Sequence, residues 1–302
     1  MTGLFYTALS HRGLITVGGA DRRDFLQGLV SNDVTRADAE HAIWAAFLTP
    51  QGKYLHDFFM IEIGDVIHLD SEGGERLMDF GRRLHKFKLR AAVDLGMSDN
   101  MAVLALWGDG AAQALGLSDA PGAGRPFEGG AVYMDPRLAG AGARAILPAG
   151  RTAGILEALG SSAAAPEDYD RMRLGLGLPD GSKDLVVEKS ILLESNFDAL
   201  NGVDWDKGCY MGQELTARTK YRGLVKKRLM PVAVSGAAPA PGTPLMRDGK
   251  EVGEMRSSRD GLGLALVRLE HVAAEGGRLE LEADGATVTL RTPAWDTVSP
   301  AT

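Results

Sequence analysis

The chain has one cysteine in 302 residues, and its neighbours are of the kinds that activate a thiol. Cys209 lies within Lys207-Gly208-Cys209-Tyr210-Met211-Gly212-Gln213-Glu214, followed by Leu215-Thr216-Ala217-Arg218. A thiol acts as nucleophile or metal ligand in its thiolate form, which a nearby cation, an open surrounding and a helix N-terminus all favour. Lys207 offers the cation, Gly208 and Gly212 leave the sulfur unshielded, and Gln213 to Tyr221 has the composition of a helix starting just beyond. Glu214 and Arg218 then stand one turn apart, where they can pair. The competing reading makes Cys209 a small buried hydrophobe in a tight turn.

Two basic clusters stand out in a chain of net charge −7: Arg82, Arg83, His85, Lys86, Lys88 and Arg90, and then Arg218, Lys220, Arg222, Lys226, Lys227 and Arg228. The first alternates with Leu84, Phe87 and Leu89, as on an amphipathic helix that leaves its charges in water. The second follows Cys209 and suits the carboxylates of a small anionic ligand or of an acidic partner.

The elements that must position these groups begin with a strand at Gly13 to Val17, after which Asp21 is expected to cap a helix running to about Val30, and Ser31-Asn32-Asp33 to stop it. Strands are expected at Trp44–Leu48, Tyr54–Ile63, Val66–Leu69, Ala91–Leu95 and Met101–Trp107, with an amphipathic helix over Glu75–Leu84. Short strands at Ala131–Met134 and Ala143–Leu147 interrupt an Ala- and Gly-rich stretch, and Pro166 opens a helix carrying Tyr169 and Met172 that ends near Gly175–Pro179. After Tyr221 the pattern changes to short strands at Leu229–Val234, Leu245–Arg247, Val252–Arg256, Gly261–Arg268, Arg278–Glu282 and Thr287–Arg291, with Asp248-Gly249 as a hairpin turn. Six such strands predict a small β-barrel. The fold class is therefore α+β, with helices on antiparallel sheets and a C-terminal β-barrel.

Apolar residues make up 45% and charged residues 24% of the chain, the balance of a folded globular protein. The acidic net charge argues against a surface built for duplex nucleic acid. One cysteine excludes a disulfide framework or a four-cysteine metal site. No run of eighteen or more apolar residues and no signal-like start is found, so no membrane span is expected, and a bacterial cytoplasm is the expected location.

The Lys-Gly-Cys-Tyr-x-Gly-Gln-Glu segment with Ala217-Arg218 resembles the signature of the YgfZ family, relatives of the glycine-cleavage T-protein. The likeness extends upstream through Leu193-Glu194-Ser195-Asn196 and Asn201-Gly202-Val203, and downstream through Thr219 to Tyr221, Gly223 and Lys226-Lys227-Arg228. It is closer to the mitochondrial iron–sulfur assembly branch than to the enterobacterial one. The resemblance implies a T-protein-like, multi-lobed fold around a central cavity. The implied lobes are 1–41 with 108–223, which carries the Cys209 motif, an inserted lobe at 42–107, and the barrel at 224–302.

For the site, the resemblance implies tetrahydrofolate contacts from among Asp57, Arg173, Glu194, Asn196, Arg218 and Tyr221. His56-Asp57 stands where T-protein enzymes carry paired acids that serve one-carbon transfer, and Arg173 stands where they carry a pterin-binding glutamate. Both departures weigh against aminomethyl transfer. Phe25 to Asp33 is similar to a T-protein stretch at the mouth of the folate cavity, although by its residues it is a helix end and turn. Three functions follow for comparison: an iron–sulfur assembly factor working with an A-type iron–sulfur carrier protein, a folate-dependent one-carbon transferase, and a tRNA-modification accessory protein. In the first, Cys209 contributes one ligand to a cluster shared with the partner, because a cluster needs about four protein ligands and the six histidines, at 11, 41, 56, 68, 85 and 271, lie outside the motif. Alone, the chain is expected to be a monomer.

Overall fold

The computed structural model describes residues 3–274, 279–293 and 295. The chain forms two compact units, one of residues 1–50, 55–166 and 200–213, the other of residues 51–54, 167–199 and 214–302.

The first unit runs β1 (Phe5–Ala8), β2 (Arg12–Gly18), α1 (Arg22–Gln27), β3 (Ile43–Leu48), β4 (Tyr54–Ile63), β5 (Val66–Glu72), α2 (Gly74–Lys88), β6 (Asp94–Ser98), β7 (Met101–Trp107), α3 (Ala111–Leu115), β8 (Gly124–Phe127), β9 (Gly130–Met134), β10 (Ala143–Pro148), α4 (Thr152–Ala158) and β11 (Ser162–Ala163). Its strands sort by pairing rather than by chain order, into a five-stranded sheet β3-β4-β5-β2-β6 and a six-stranded sheet β11-β1-β7-β10-β9-β8. Every residue of β3 is buried, which is why Ile43-Trp44-Ala45-Ala46-Phe47-Leu48 reads as an unbroken apolar run instead of an alternation. Helix α2 packs on β2, β5 and β6 and buries Phe80 and Leu84, one turn apart on its apolar stripe. In the other sheet, Leu104, Leu106, Val132 and Leu147 pack with Leu115, Ile155 and Leu156 from α3 and α4.

A charged cluster links the two sheets. Asp70 of β5 is wholly buried and accepts from Arg12 Nε of β2 at 2.7 Å and from Arg144 Nη2 of β10 at 2.5 Å. Burial pushes the Asp70 carboxyl up, but the two guanidiniums outweigh it and hold it below the usual carboxylate range. The Arg144 guanidinium lies 4.0 Å from the centre of the Phe59 ring, and Arg137, itself paired to Asp135 at 2.7 Å, approaches the same ring at 4.9 Å.

The second unit contains α5 (Pro166–Leu176, of which Pro166 belongs to the first unit), α6 (Gln213–Tyr221, entered from the first unit at Gln213), β12 (Lys227–Ser235), β13 (Pro244–Arg247), β14 (Lys250–Arg259), β15 (Leu262–Arg268), α7 (Leu269–Ala274), β16 (Glu280–Ala283) and β17 (Ala286–Leu290). The six strands close into a barrel in the order β12-β15-β14-β13-β16-β17, as the strand spacing predicts. Its core is the inward set Val232, Val252, Met255, Ala265, Val267, Leu281 and Val288. Asp248 and Gly249 both have positive φ, 50° and 73°, the geometry a two-residue hairpin turn demands.

Two expectations about local structure need correction. Asp21 does not cap α1 with its side chain, which instead accepts from the Ala92 backbone N–H at 2.7 Å. The strand expected at Ala91–Leu95 lies at Asp94–Ser98, because Ala91 to Val93 turn the chain and the ladder with β2 starts at Asp94. Helix α7 and the short helices α3 and α4 carry too few periodic residues to announce themselves. Of the strand expected at Arg278–Glu282, Arg278 lies outside the described residues.

Candidate functional site

Cys209 is exposed, between exposed Gly208 and buried Tyr210. The loop that carries it is tied down by residues 27–33, far upstream in the chain. Lys207 Nζ donates to the carbonyls of Gln27 at 3.0 Å, Val30 at 2.7 Å and Asn32 at 2.7 Å, so all three of its N–H groups are engaged. These are carbonyls left over at the end of α1 and in the turn that follows, where a helix needs outside donors. Burial lowers the Lys207 pKa to about 8, against the raising effect of Asp33 and Asp204. Its ammonium also lies 5.2 Å from the Tyr210 ring centre. The residue spacing casts Lys207 as a cation that favours the thiolate; the structure engages its donors in anchoring the loop.

Further bonds complete this joint. Asp204 Oδ1 accepts from the backbone N–H groups of Asp206 at 2.9 Å and Lys207 at 2.8 Å, the local turn chemistry that aspartate supplies. Ser31 Oγ donates to the Gly202 carbonyl at 2.6 Å, Asn32 Nδ2 donates to the Asn201 carbonyl at 2.8 Å, and the Met211 N–H donates to the Gly28 carbonyl at 3.1 Å. Gly212 then takes φ +82°, a left-handed conformation that costs other L-residues about 1–2 kcal/mol. Helix α6 starts at the next residue, where Gln213 Oε1 accepts from the Tyr210 N–H at 3.3 Å. The loop is thus fixed at both ends with its sulfur left accessible. Sequence reasoning missed Asp204, Gln27 and Ser31; the Asp204-Trp205-Asp206-Lys207-Gly208 turn composition was the available signal for the first.

His56 and Asp57 are neighbours on β4, so their side chains leave opposite faces of the sheet. His56 stacks on Phe80 at 4.8 Å between ring centres, with Nε2 3.0 Å from Asp79. Burial is the main cause that lowers its pKa to about 3, and the Arg76 charge adds to it. Asp57 is buried on the other face and accepts from the Trp44 indole at 3.1 Å. The two therefore do not form a converging pair.

The remaining candidates lie in the second unit. Arg173 is buried, with Nη1 donating to Asp184 at 2.7 Å and to the Leu178 carbonyl at 3.1 Å, and with Asp170 at 2.7 Å from its Nη2. Asn196 has φ +63° and donates to the Leu229 carbonyl at 2.6 Å, pinning its loop to β12. Glu194 differs from both. Its half-buried carboxyl has no hydrogen-bond partner among the described residues, and burial raises its pKa despite the opposing charges of Lys227, Lys53 and Arg256. Those three cations are a feature the sequence did not reveal, since they come from three separate segments. On α6, Glu214 and Arg218 are 3.8 Å apart at 90% and 49% side-chain exposure, a surface pair of little energetic weight. Tyr221 is 74% exposed.

Comparison with known proteins adds three findings. Residues 226–297 match the family model described as CAF17, C-terminal beta-barrel domain. The chain is 31% identical over 247 residues to the iron-sulfur cluster assembly factor IBA57 homolog, mitochondrial, of Neurospora crassa, covering 77% of this chain and 55% of that protein. It is 32% identical to the homolog of Pyricularia oryzae, covering 88% and 72%, and 31% identical to iron-sulfur cluster assembly factor IBA57, mitochondrial, of Homo sapiens, covering 96% and 85%. The chain spans little more than half of the Neurospora protein's length. Among solved structures, the glycine cleavage system aminomethyltransferase T from Bartonella henselae superposes with TM-score 0.79 at 17% identity, over 98% of this chain and 87% of that one, a likeness of fold. The expected bacterial cytoplasm is overturned by these relatives, which are named as mitochondrial proteins. The expectation rested on the lack of a leader-like start, and leaders are cleavable addresses that leave no mark on the folded chain. Among the described residues no helix is long and apolar enough to cross a membrane.

Proposed function

Since the chain belongs to the family of iron–sulfur cluster assembly factors named IBA57, we propose that it serves iron–sulfur cluster assembly by presenting Cys209 to a cluster held by a carrier protein. The observation that carries this reading is the exposure of the chain's one thiol on a loop fixed at both ends. A cluster takes about four protein ligands, usually cysteine thiolates. With one cysteine in its sequence, this chain supplies one of them and the partner supplies the rest. An A-type iron–sulfur carrier, which brings its own cysteines, is the partner we propose.

Tetrahydrofolate is the small molecule proposed for the second unit. Glu194 fits it: a half-buried carboxyl without a hydrogen-bond partner among the described residues can accept from the amine and ring N–H groups of a pterin. Arg173 and Asn196 would support this site indirectly, since their donors hold the protein's own groups. One-carbon transfer has less support, because His56 and Asp57 face opposite ways.

The test is anaerobic mixing of the purified chain with a cluster-loaded A-type carrier. A heterodimer with a thiolate-to-iron charge-transfer band is expected, and Cys209→Ala should lose the band. An identical spectrum and affinity in Cys209→Ala would refute the shared ligand. Titration with tetrahydrofolate, with and without Glu194→Gln, tests the folate site separately.

A further inference from the structure

We propose that the groove between α2 and β6 receives an acidic extended segment of another protein, which adds to β6 as a further strand. Strand β6 ends the five-stranded sheet and, among the described residues, pairs with β2 alone. Its outer N–H and C=O groups therefore have no strand neighbour among those residues. Natural sheets guard such edges with lysine, proline or bulges, and Asp94-Leu95-Gly96-Met97-Ser98 contains neither lysine nor proline and runs in unbroken register with β2.

The groove beside this edge is apolar, with a volume of about 480 Å³. Ile15 and Leu84 form its floor, while Met78 of α2 and Met97 of β6 face it as walls, 48% and 47% exposed. Methionine walls of this kind adapt to different apolar side chains. Helix and strand come close where α2 has glycine: a Cβ on Gly81 would sit 3.2 Å from Met97 Cε.

Charge selects the occupant. Arg82, His85 and Lys86 line the helix side of the groove and are exposed, and Lys86 has no ion-pair partner among the described residues. Among the described residues Arg82 has only a distant contact with Asp79, at 3.8 Å. This basic rim belongs to a chain of net charge −7, so it attracts an acidic segment locally where the molecule as a whole would repel one. Leu95 and Met97 share the face of β6 toward α2, whereas Asp94 leaves the opposite face. The partner strand thus needs its apolar and acidic side chains on the α2 side, where its acids meet Arg82 and Lys86 and avoid Asp94. Backbone pairing would give affinity, and the groove and rim would give selectivity.

The test uses the full chain and a synthetic ten-residue peptide in which every second residue is in turn Leu or Val and then Asp or Glu, with Ser or Thr between them so that the apolar and acidic side chains share one face of the strand, and a Lys-for-acid version as control. The acidic peptide should bind, the control should bind at least about tenfold more weakly, and amide exchange should slow at 94–98. Arg82→Glu and Lys86→Glu should each weaken binding severalfold with melting unchanged, and Met97→Lys should abolish it. Equal binding of both peptides, protection away from β6, or no binding up to millimolar peptide would overturn the proposal. So would self-association that Met97→Lys removes, which would make a second copy the occupant, or binding to anionic vesicles without binding to peptide, which would make the face a membrane contact.

Discussion

The cluster around Asp70 and the loop around Cys209 lie in the same compact unit and handle charge in different ways. Asp70 is met by two guanidiniums at hydrogen-bond distance, so opposite charges neutralise each other where water is excluded. Lys207 is met by three neutral carbonyls, and its pKa falls to about 8. The first arrangement is a permanent clamp between two sheets. The second anchors a loop while leaving its thiol in solvent. The difference shows why the candidate functional group is the exposed thiol: the clamp has no free surface.

Breaking the clamp should have the largest effect. Asp70→Ala takes the Asp70 carboxylate away from the buried guanidiniums of Arg12 and Arg144, a loss of about 3–5 kcal/mol for a buried pair of this kind. Urea unfolding measures it, and a loss under 1 kcal/mol would mean that water reaches the site. Lys207→Met should cost less, about 1–3 kcal/mol, because the carbonyls it leaves are neutral. Hydrogen exchange should then rise at 207–212.

The pH response sharpens the contrast. Unfolded lysine titrates near about 10.4, and folded Lys207 near about 8. Between these values the unfolded chain holds one proton more than the folded one, so the Lys207 contribution makes stability rise with pH across that window. The Lys207→Met variant should lack this rise relative to the parent chain, and an identical pH profile for the two would show that Lys207 titrates normally. The lowered pKa of Asp70 acts at the other end: the stability it contributes is present above about pH 3.9 and is lost as pH falls below it.

Gly212→Ala should cost about 1–2 kcal/mol, since φ +82° is strained for any residue with a Cβ. A melting curve together with the rate of thiol labelling at Cys209 would separate loss of stability from displacement of the loop. Cys209→Ser should have the smallest effect on stability, within about 0.5 kcal/mol, as befits an exposed side chain. Complementation of a strain lacking this protein should nevertheless fail. A destabilisation of 2 kcal/mol with function retained would restore the packing reading of Cys209.

Local chemistry made much of this molecule legible in the sequence. The barrel strands, the Asp248-Gly249 turn and helix α6 at Gln213–Tyr221 follow from periodicity and turn residues, which act over a few positions. The Cys209 segment was legible because its residue types are confined to twelve positions. Partner choice over long separations was not. That β2 pairs with β5 and β6, that Lys207 reaches back to Gln27, Val30 and Asn32, and that the charges of Lys227, Lys53 and Arg256 act on Glu194 were decided by tertiary structure. Residues 27–33 illustrate the limit: by composition they are a helix end and a turn, and their carbonyls become the seat of the Cys209 loop only once packing brings them together. A helix end leaves its carbonyls in need of donors, but nothing in the local sequence says which lysine, almost the whole length of the unit away, will supply them.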